Sequence, residues 1–288
     1  MKRLFAIIFA AVSISAAAQT SDPMIAYDDS TKTILKNLRH IKSHVNLEFA
    51  ASANAYFTGG TFDEASFKMI RVRLEILGRL NDKLSYHFRQ SFNKYSNPYS
   101  VDNMSSSIEY ANIKWHAGDR FDLVAGKQFL AVAGYEGYVN GLLVREFSDF
   151  NNNVEIYQTG LMGVIKMTPD HHLMLQVTNN RNSADNEMYL YGLPDGLEAS
   201  RLPLLATVNW NGWFADGALH MMYSASAGQL AKGKNIYYLT CGNIYEKEPY
   251  IAYIDVMYSR EGIDSQQRIT SLQGAGMYPV TAQNTQYL

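Results

Sequence analysis

RVRLEILGRL, residues 71–80, places charged side chains at alternate positions among leucine, isoleucine and valine. Residues two apart share one face of a β-strand. With the preceding residue included, Ile70, Val72, Leu74, Ile76 and Leu80 make an apolar face, and Arg71, Arg73, Glu75 and Arg79 make a charged one. A helix would scatter these charges around its axis, so the period specifies a strand. The fold then turns on which face meets water.

Neighbouring segments repeat the alternation. Residues 83–92 oppose Leu84, Tyr86, Phe88 and Phe92 to Ser85, His87, Arg89 and Ser91. Residues 203–214 oppose Leu204, Ala206, Val208 and Trp210 to Thr207, Asn209 and Asn211. Eleven segments are expected, at about 45–58, 66–80, 83–92, 106–117, 120–127, 154–168, 171–179, 203–214, 218–226, 234–245 and 250–260. Tight turns at 81–82, 118–119, 169–170, 215–217 and 246–248 join alternate pairs. The other connections, 59–65, 93–105, 128–153, 180–202 and 227–233, are longer. Short turns on one side and long loops on the other is the pattern of an outer-membrane barrel. Pro98, Pro169, Pro194, Pro203 and Pro249 all fall in loops, turns or strand starts, where no ladder hydrogen bond is lost.

The ends of the chain carry different signals. MKRLFAIIFAAVSISAAAQT has Lys2 and Arg3 before a short apolar core and Ala16-Ala17-Ala18 at its close. This is the form of a signal peptide over 1–18, cut before Gln19. Residues 19–44 are expected to be an N-terminal periplasmic segment, with a short helix capped at Asp29 or Ser30, and 45–288 the β domain. No Ser/Pro-rich linker divides that domain. Without Lys2 and Arg3 the 25 basic residues fall to 23 against 27 acidic ones, a formal −4. That balance gives no sign of nucleic-acid binding. The lone cysteine, Cys241, excludes an internal disulfide framework. The mature chain has no continuous apolar run long enough for a membrane helix.

A soluble sheet would turn Ile70, Val72 and Leu74 inward and the arginines to water. A membrane barrel inverts this, because arginine facing lipid at mid-bilayer costs about 2–4 kcal/mol. Aromatic residues beside the tight turns (Trp115 and Phe121 at one, Trp213 and Phe214 at another) fit an interfacial belt, which favours the membrane version. The fold class expected is all-β, an antiparallel transmembrane β-barrel of the large porin type. By alternation Lys68 falls on the lipid side, near the external rim.

RVRLEILGRLNDKLSYHFRQSFNK (71–94), AGKQFLAVAGYEGY (125–138), YQTGLMG (157–163) and YIDVMYSREGID (253–264) together resemble the porins of Bacteroidetes-type outer membranes, related to the phosphate-selective porin O/P family. The resemblance covers most of the chain from about residue 45. It implies a cell outer-membrane barrel in contact with lipid, compatible with a homotrimer, that lets small polar or anionic solutes diffuse passively. Members known for phosphate selectivity carry a lysine shortly after the glycine that precedes the third long loop. Lys127, directly after Gly126, is only approximately comparable. Eleven segments, where bacterial single-chain barrels are even, and an ending TAQNTQYL just as another strand begins, predict a barrel incomplete at its C-terminus. The stretch 269–278 is either a twelfth strand or loop.

In this reading Arg71, Arg73, Glu75, Arg79, His87, Arg89 and Lys114 line the pore. The third long loop, 128–153, folds into the lumen or lies outside. If it folds in, it places Lys127, Glu136, Arg145 and Glu146 at a constriction. Two roles for the arginines stay open: a basic patch favouring anions, or salt bridges that stiffen the wall. No HExxH, CxxC, P-loop or G-x-S-x-G spacing occurs, so neither an enzyme nor a metal or other cofactor is expected. The alternative reading is a cell-surface binding or adhesion barrel without an open pore.

Overall fold

A computed structural model of the chain describes residues 6–16, 42–94, 102–132, 134–138, 147–148, 154–180, 193–264 and 283–287. The helix expected near residue 30 and the stretch 269–278 lie outside them. The described residues form thirteen strands whose neighbours in the sheet are their neighbours in sequence. They are β1 (Ala6–Ala16), β2 (Lys42–Thr58), β3 (Thr61–Asn81), β4 (Leu84–Ser91), β5 (Ile108–His116), β6 (Phe121–Phe129) and β7 (Tyr157–Thr168), then β8 (His171–Asn179), β9 (Leu204–Phe214), β10 (Leu219–Ala231), β11 (Lys234–Lys247), β12 (Tyr250–Ile263) and β13 (Gln283–Tyr287). One short helix, α1 (Tyr135–Tyr138), follows β6. No helix among the described residues is long and apolar enough to cross a membrane, which says nothing of crossing by strands. The chain divides into two compact units, Met1–Asn97 with Ser105–Ile113, and Pro98–Met104 with Lys114–Leu288.

In the first unit β1 covers the apolar stretch assigned to the export leader and pairs antiparallel with β2. The hairpin β2–β3 corrects one expectation. Its connection is not a loop over 59–65 but the two residues Gly59-Gly60, both at positive φ, between the paired Thr58 and Thr61. Consecutive positive φ values are what a tight hairpin turn of matching twist requires, and glycine supplies them without steric cost. At the other end of β3, Asn81 Oδ1 accepts hydrogen bonds from the Lys83 and Leu84 amides, both at 2.9 Å.

A second correction follows from register. Arg71 pairs with Ala50, but Met69 pairs with Ala51, so Ile70 is an extra residue in a bulge. A bulge shifts alternation by one residue. Lys68 therefore pairs with Ser52 and shares the face of Arg71, rather than the apolar face that strict alternation gives it. Its Nζ lies 5.7 Å from the Tyr56 ring centroid. Met69, Ile70 and Phe67 are exposed, Phe67 almost completely.

In the second unit exposure follows the strand period, with the sense of a soluble protein reversed. On β9 and β10, Thr207, Asn209, Asn211, Ser224 and Ser226 are buried, while Val208 is 49 % exposed. Gln158, Gln176, Thr178 and Thr240 are likewise buried, and Leu161, Leu175, Val177 and Leu239 are exposed. Side-chain hydrogen bonds satisfy much of the polar face. Thr207 bonds Ser226 across β9 and β10 at 2.9 Å, Ser224 bonds Thr240 across β10 and β11, and along β9 Asn211 Nδ2 donates to Asn209 Oδ1 at 2.5 Å. Apolar surface on this scale stays uncovered only where something other than water meets it.

Four tight turns stand where expected, ahead of β4, β6, β8 and β10; the one ahead of β12, expected at 246–248, is Glu248-Pro249, because Glu246 and Lys247 continue β11 in register with Ile251 and Tyr250. The connection 227–233, expected to be long, is a tight hairpin instead. β10 runs to Ala231, which pairs with Lys234 across Lys232-Gly233. Pro169, Pro194, Pro203 and Pro249 lie outside the strands. Trp115, Phe121 and Phe214 are exposed beside the tight turns, as an interfacial belt requires. Trp213 is not part of that belt. It sits on the polar face, stacked 4.4 Å from His220.

Candidate functional site

In the first unit the charged face is a linked cluster spread over four strands. Arg73 Nη1 lies 3.2 Å from Glu48 Oε2 of β2, and its Nη2 lies 3.2 Å from Glu109 Oε2 of β5. Arg89 of β4 reaches the same Glu109 oxygen at 2.8 Å and Glu75 of β3 at 3.7 Å. Lys94 Nζ lies 2.6 Å from Glu109 Oε1, which also accepts a hydrogen bond from Ser91 Oγ at 2.8 Å. Glu109 is fully buried among these donors. Three cations and a hydroxyl thus offset the cost of removing one carboxylate from water. His87 Nε2 is 2.8 Å from Glu75 Oε1, and its ring stacks on Tyr110 at 4.1 Å. The Arg89 guanidinium lies 4.3 Å from the centroid of the same ring.

Arg71 differs from its neighbours. Its Nη1 is buried without a hydrogen-bond partner, and no carboxylate among the described residues lies within ion-pair distance of its guanidinium. Four cations (Arg71, Arg73, Arg89 and Lys94) face three carboxylates (Glu48, Glu75 and Glu109), an excess of one positive charge. The arginines of RVRLEILGRL are therefore mostly paired. Arg79, also expected on this face, is exposed at the tight-turn end of β3, opposite Lys42 in register.

In the second unit the chain leaving β6 lies across the polar face. The Ala131 amide donates to Gln176 Oε1 at 2.7 Å, and Gln176 Nε2 donates to the Phe129 carbonyl at 2.9 Å. Asn209 Nδ2 donates to the Ala131 carbonyl at 2.8 Å. Beyond the Leu130 amide, which still donates to the Ile156 carbonyl, the backbone here needs such donors and acceptors, and the amide side chains of β8 and β9 supply them. Further along, the Tyr135 amide donates to Asp255 Oδ2 at 2.7 Å, and the Tyr135 ring stacks on Tyr253 at 4.0 Å. Gly242 and Gly134 make the close approach possible: a Cβ on Gly242 would stand 2.9 Å from Gly134 Cα.

The seat of this segment is apolar where the strands meet it. Leu130 and Val132 pack with Leu205, Leu230, Ile236, Tyr238 and Ile263 in a buried cluster, with Leu193 and Leu197 against it. The same strand faces thus change from polar to apolar along their length, Asn211, Asn209 and Thr207 giving way to Leu205.

The expected constriction residues divide. Glu136, in α1, accepts hydrogen bonds from the Ser148 amide and hydroxyl at 2.7 and 2.8 Å. Lys127 belongs to β6 rather than to the connection after it. It is buried, with Nζ 3.5 Å from Asp102 Oδ2, and Thr159 Oγ1 donates to that same oxygen at 2.7 Å. Asp102 comes from the second long connection, which alternation along strands gives no means of placing. Arg145 and Glu146 lie outside the described residues. Lys114, half-buried on β5, has the parity of His116, whose Nδ1 lies 2.9 Å from Asp122; Lys166 Nζ is 3.1 Å from the same carboxylate.

A comparison with protein families matches the profile of the phosphate-selective porins O and P over residues 44–288. No curated protein and no solved structure matches the chain. A match over that much of the sequence assigns membership: the chain belongs to this family of outer-membrane β-barrel porins.

Proposed function

We propose that this member of the phosphate-selective porin family is a diffusion channel for small polar solutes, with a preference for anions. The observation that carries the reading is the inverted dressing of β7–β12: amide and hydroxyl side chains buried beneath residues 129–132, aliphatic ones exposed. An exposed aliphatic face suits hydrocarbon, and a polar face suits a hydrated lumen. The barrel closes with its tight turns in the periplasm and its long connections outside. The export leader over 1–18 is removed before Gln19, and the mature barrel sits in the outer membrane, with a homotrimer as the assembly the family favours.

Residues 130–132 and 134–138 narrow the lumen. Fixed charge then sorts the ions that enter. Arg73 and Arg89 are largely neutralised by Glu48, Glu75 and Glu109 and act first as cross-strand ties. Arg71 and Lys68, which share one face above them and lack a carboxylate partner among the described residues, are the cations left to attract anions. Lys127, held by Asp102, pairs with Thr159 and so shares by register the face of Leu161 rather than that of Gln128 and Gln158, which removes it from the charges that meet the solute.

The test is conductance in planar bilayers, with reversal potential read under a KCl gradient. A stable ohmic conductance whose reversal potential favours chloride supports the reading, and Arg71→Ala with Lys68→Ala lowers that preference. A purified, heat-modifiable barrel that gives no conductance refutes it and leaves a surface-binding barrel.

A further inference from the structure

The exposed face of the second unit carries a site of its own. Register lines up Leu161, Val177, Ala206, Ala227, Tyr237 and Arg260 as one cross-strand row over β7–β12. Side-chain size falls at its centre. Ala206 and Ala227, with Ala225 beside them, lie between an aliphatic ridge and the ridge of Tyr237 and its neighbours. The gap is a trough of about 790 Å³ with almost wholly apolar walls.

One end of the trough is polar. Arg260 is exposed there and makes no ion pair or hydrogen bond with any described residue. Tyr237 stands opposite it on β11, and Gln286 opposite it on β13. Asn235 Nδ2 donates to the Tyr237 hydroxyl at 3.0 Å. On a lipid-facing surface an arginine is tolerated only near the interface, where its cost falls to about 0–1 kcal/mol. Arg260 is three residues from the end of β12, on the rim that carries the long connections. That rim is the external one in the function proposed above, on which this inference rests. The trough thus occupies the outer-leaflet half of the wall with a cation at headgroup level.

We propose that this trough binds a phosphorylated glycolipid of the outer leaflet, with an acyl chain against Ala206, Ala225 and Ala227 and a phosphate on Arg260. The Tyr237 hydroxyl and the Gln286 amide are placed to hydrogen-bond the sugar. The apolar length and the single cation at one end match a ligand with a long tail and an anionic head. A second copy of the chain would need a complementary carboxylate opposite Arg260, and the exposed face of this unit offers aliphatic and aromatic side chains around the trough instead.

Native mass spectrometry of the full-length porin in detergent, with monophosphorylated lipid A added, tests this. Wild type should retain the lipid. Arg260→Ala should bind it about fivefold more weakly, the loss expected for one basic side chain near an anionic headgroup. Dephosphorylated lipid A should bind wild type as weakly as the phosphorylated form binds Arg260→Ala. Ala227→Trp, which fills the trough, should abolish retention. Equal retention by wild type and Arg260→Ala, or retention independent of the phosphate, overturns the proposal. Loss of a cross-linked oligomer in Ala227→Trp with lipid retention unchanged also overturns it, in favour of a subunit contact. Orientation is read separately by labelling Lys232→Cys on intact cells with an impermeant maleimide in a Cys241→Ser background. A protected thiol sinks the external-rim reading alone, since retention in detergent does not depend on orientation.

Discussion

Replacing Glu109 by glutamine should make the pore more anion-selective. The side chain keeps its shape and its hydrogen bond from Ser91 but loses the charge that faces Arg73, Arg89 and Lys94. The excess in this cluster rises from one positive charge to two. A unit charge acts on an ion about 8 Å away in water with roughly 0.5 kcal/mol. Anions gain that amount and cations lose it, so the preference between them moves by about 1 kcal/mol, roughly fivefold. Screening over a Debye length of about 10 Å at 0.1 M reduces the effect to roughly twofold, while at 0.01 M it is nearly complete. Stability should fall by no more than the ~3–5 kcal/mol typical of breaking a buried pair, because Arg73 keeps Glu48, Arg89 keeps Glu75, and Lys94 reaches water. The assay is reversal potential in planar bilayers at several salt concentrations, after heat-modifiable migration has shown that the variant folds. An unchanged reversal potential at 0.01 M KCl in a folded variant would refute the idea that this cluster faces the conduction path.

Three further outcomes follow from other parts of the molecule. Gln176→Leu with Asn209→Leu removes three hydrogen bonds to residues 129–131, at about 1 kcal/mol each; single-channel recording should show larger and noisier conductance, and quiet wild-type openings would count against an inward segment. Val208→Arg should impair assembly by about 2–4 kcal/mol if it reaches the bilayer midplane, measured by urea-dependent folding into vesicles, whereas a face turned to water would accept it without loss. Gly160→Ala should destabilise by about 1–3 kcal/mol, because its Cβ would stand 2.1 Å from the Val177 carbonyl oxygen; a melting temperature equal to wild type would show that the β7–β8 pairing is looser than this.

The strands were legible because alternation survives in nearly every one of them, and the tight turns because Asn-Asp, Pro-Asp and Ala-Asp-Gly announce them. Gly59-Gly60 carried an equally strong hairpin signal, and reading the connection as 59–65 ignored it. The bulge at Ile70 was not legible, since nothing local marks the extra residue, and it reversed the assignment of Lys68. Alternation puts Arg73 and Arg89 on the charged faces of two neighbouring strands. Their partners Glu48 and Glu109 come from other strands, so the choice between a bare basic patch and a paired cluster needed the register. Trp213 misled because aromatic residues near a turn usually mark the interface, whereas this one stacks on His220. The seat of the long connection was hidden for a similar reason: Leu205 and Ile236 read as ordinary strand residues until Leu130 and Val132 are brought onto them. A fifth strand of the late region, Gln283–Tyr287, begins where the closing residues had the look of a new strand.

The claim beneath all of this is that hydrocarbon touches the face of Ala206, Val208 and Trp210 while Thr207, Asn209 and Asn211 turn away from it. Nitroxide scanning of residues 205–211 in vesicles, with Cys241 replaced by serine, measures it directly through collision with dissolved oxygen. High oxygen accessibility at 206, 208 and 210, and low accessibility at 207, 209 and 211, is the result expected. The opposite phase, or no alternation at all, would contradict it.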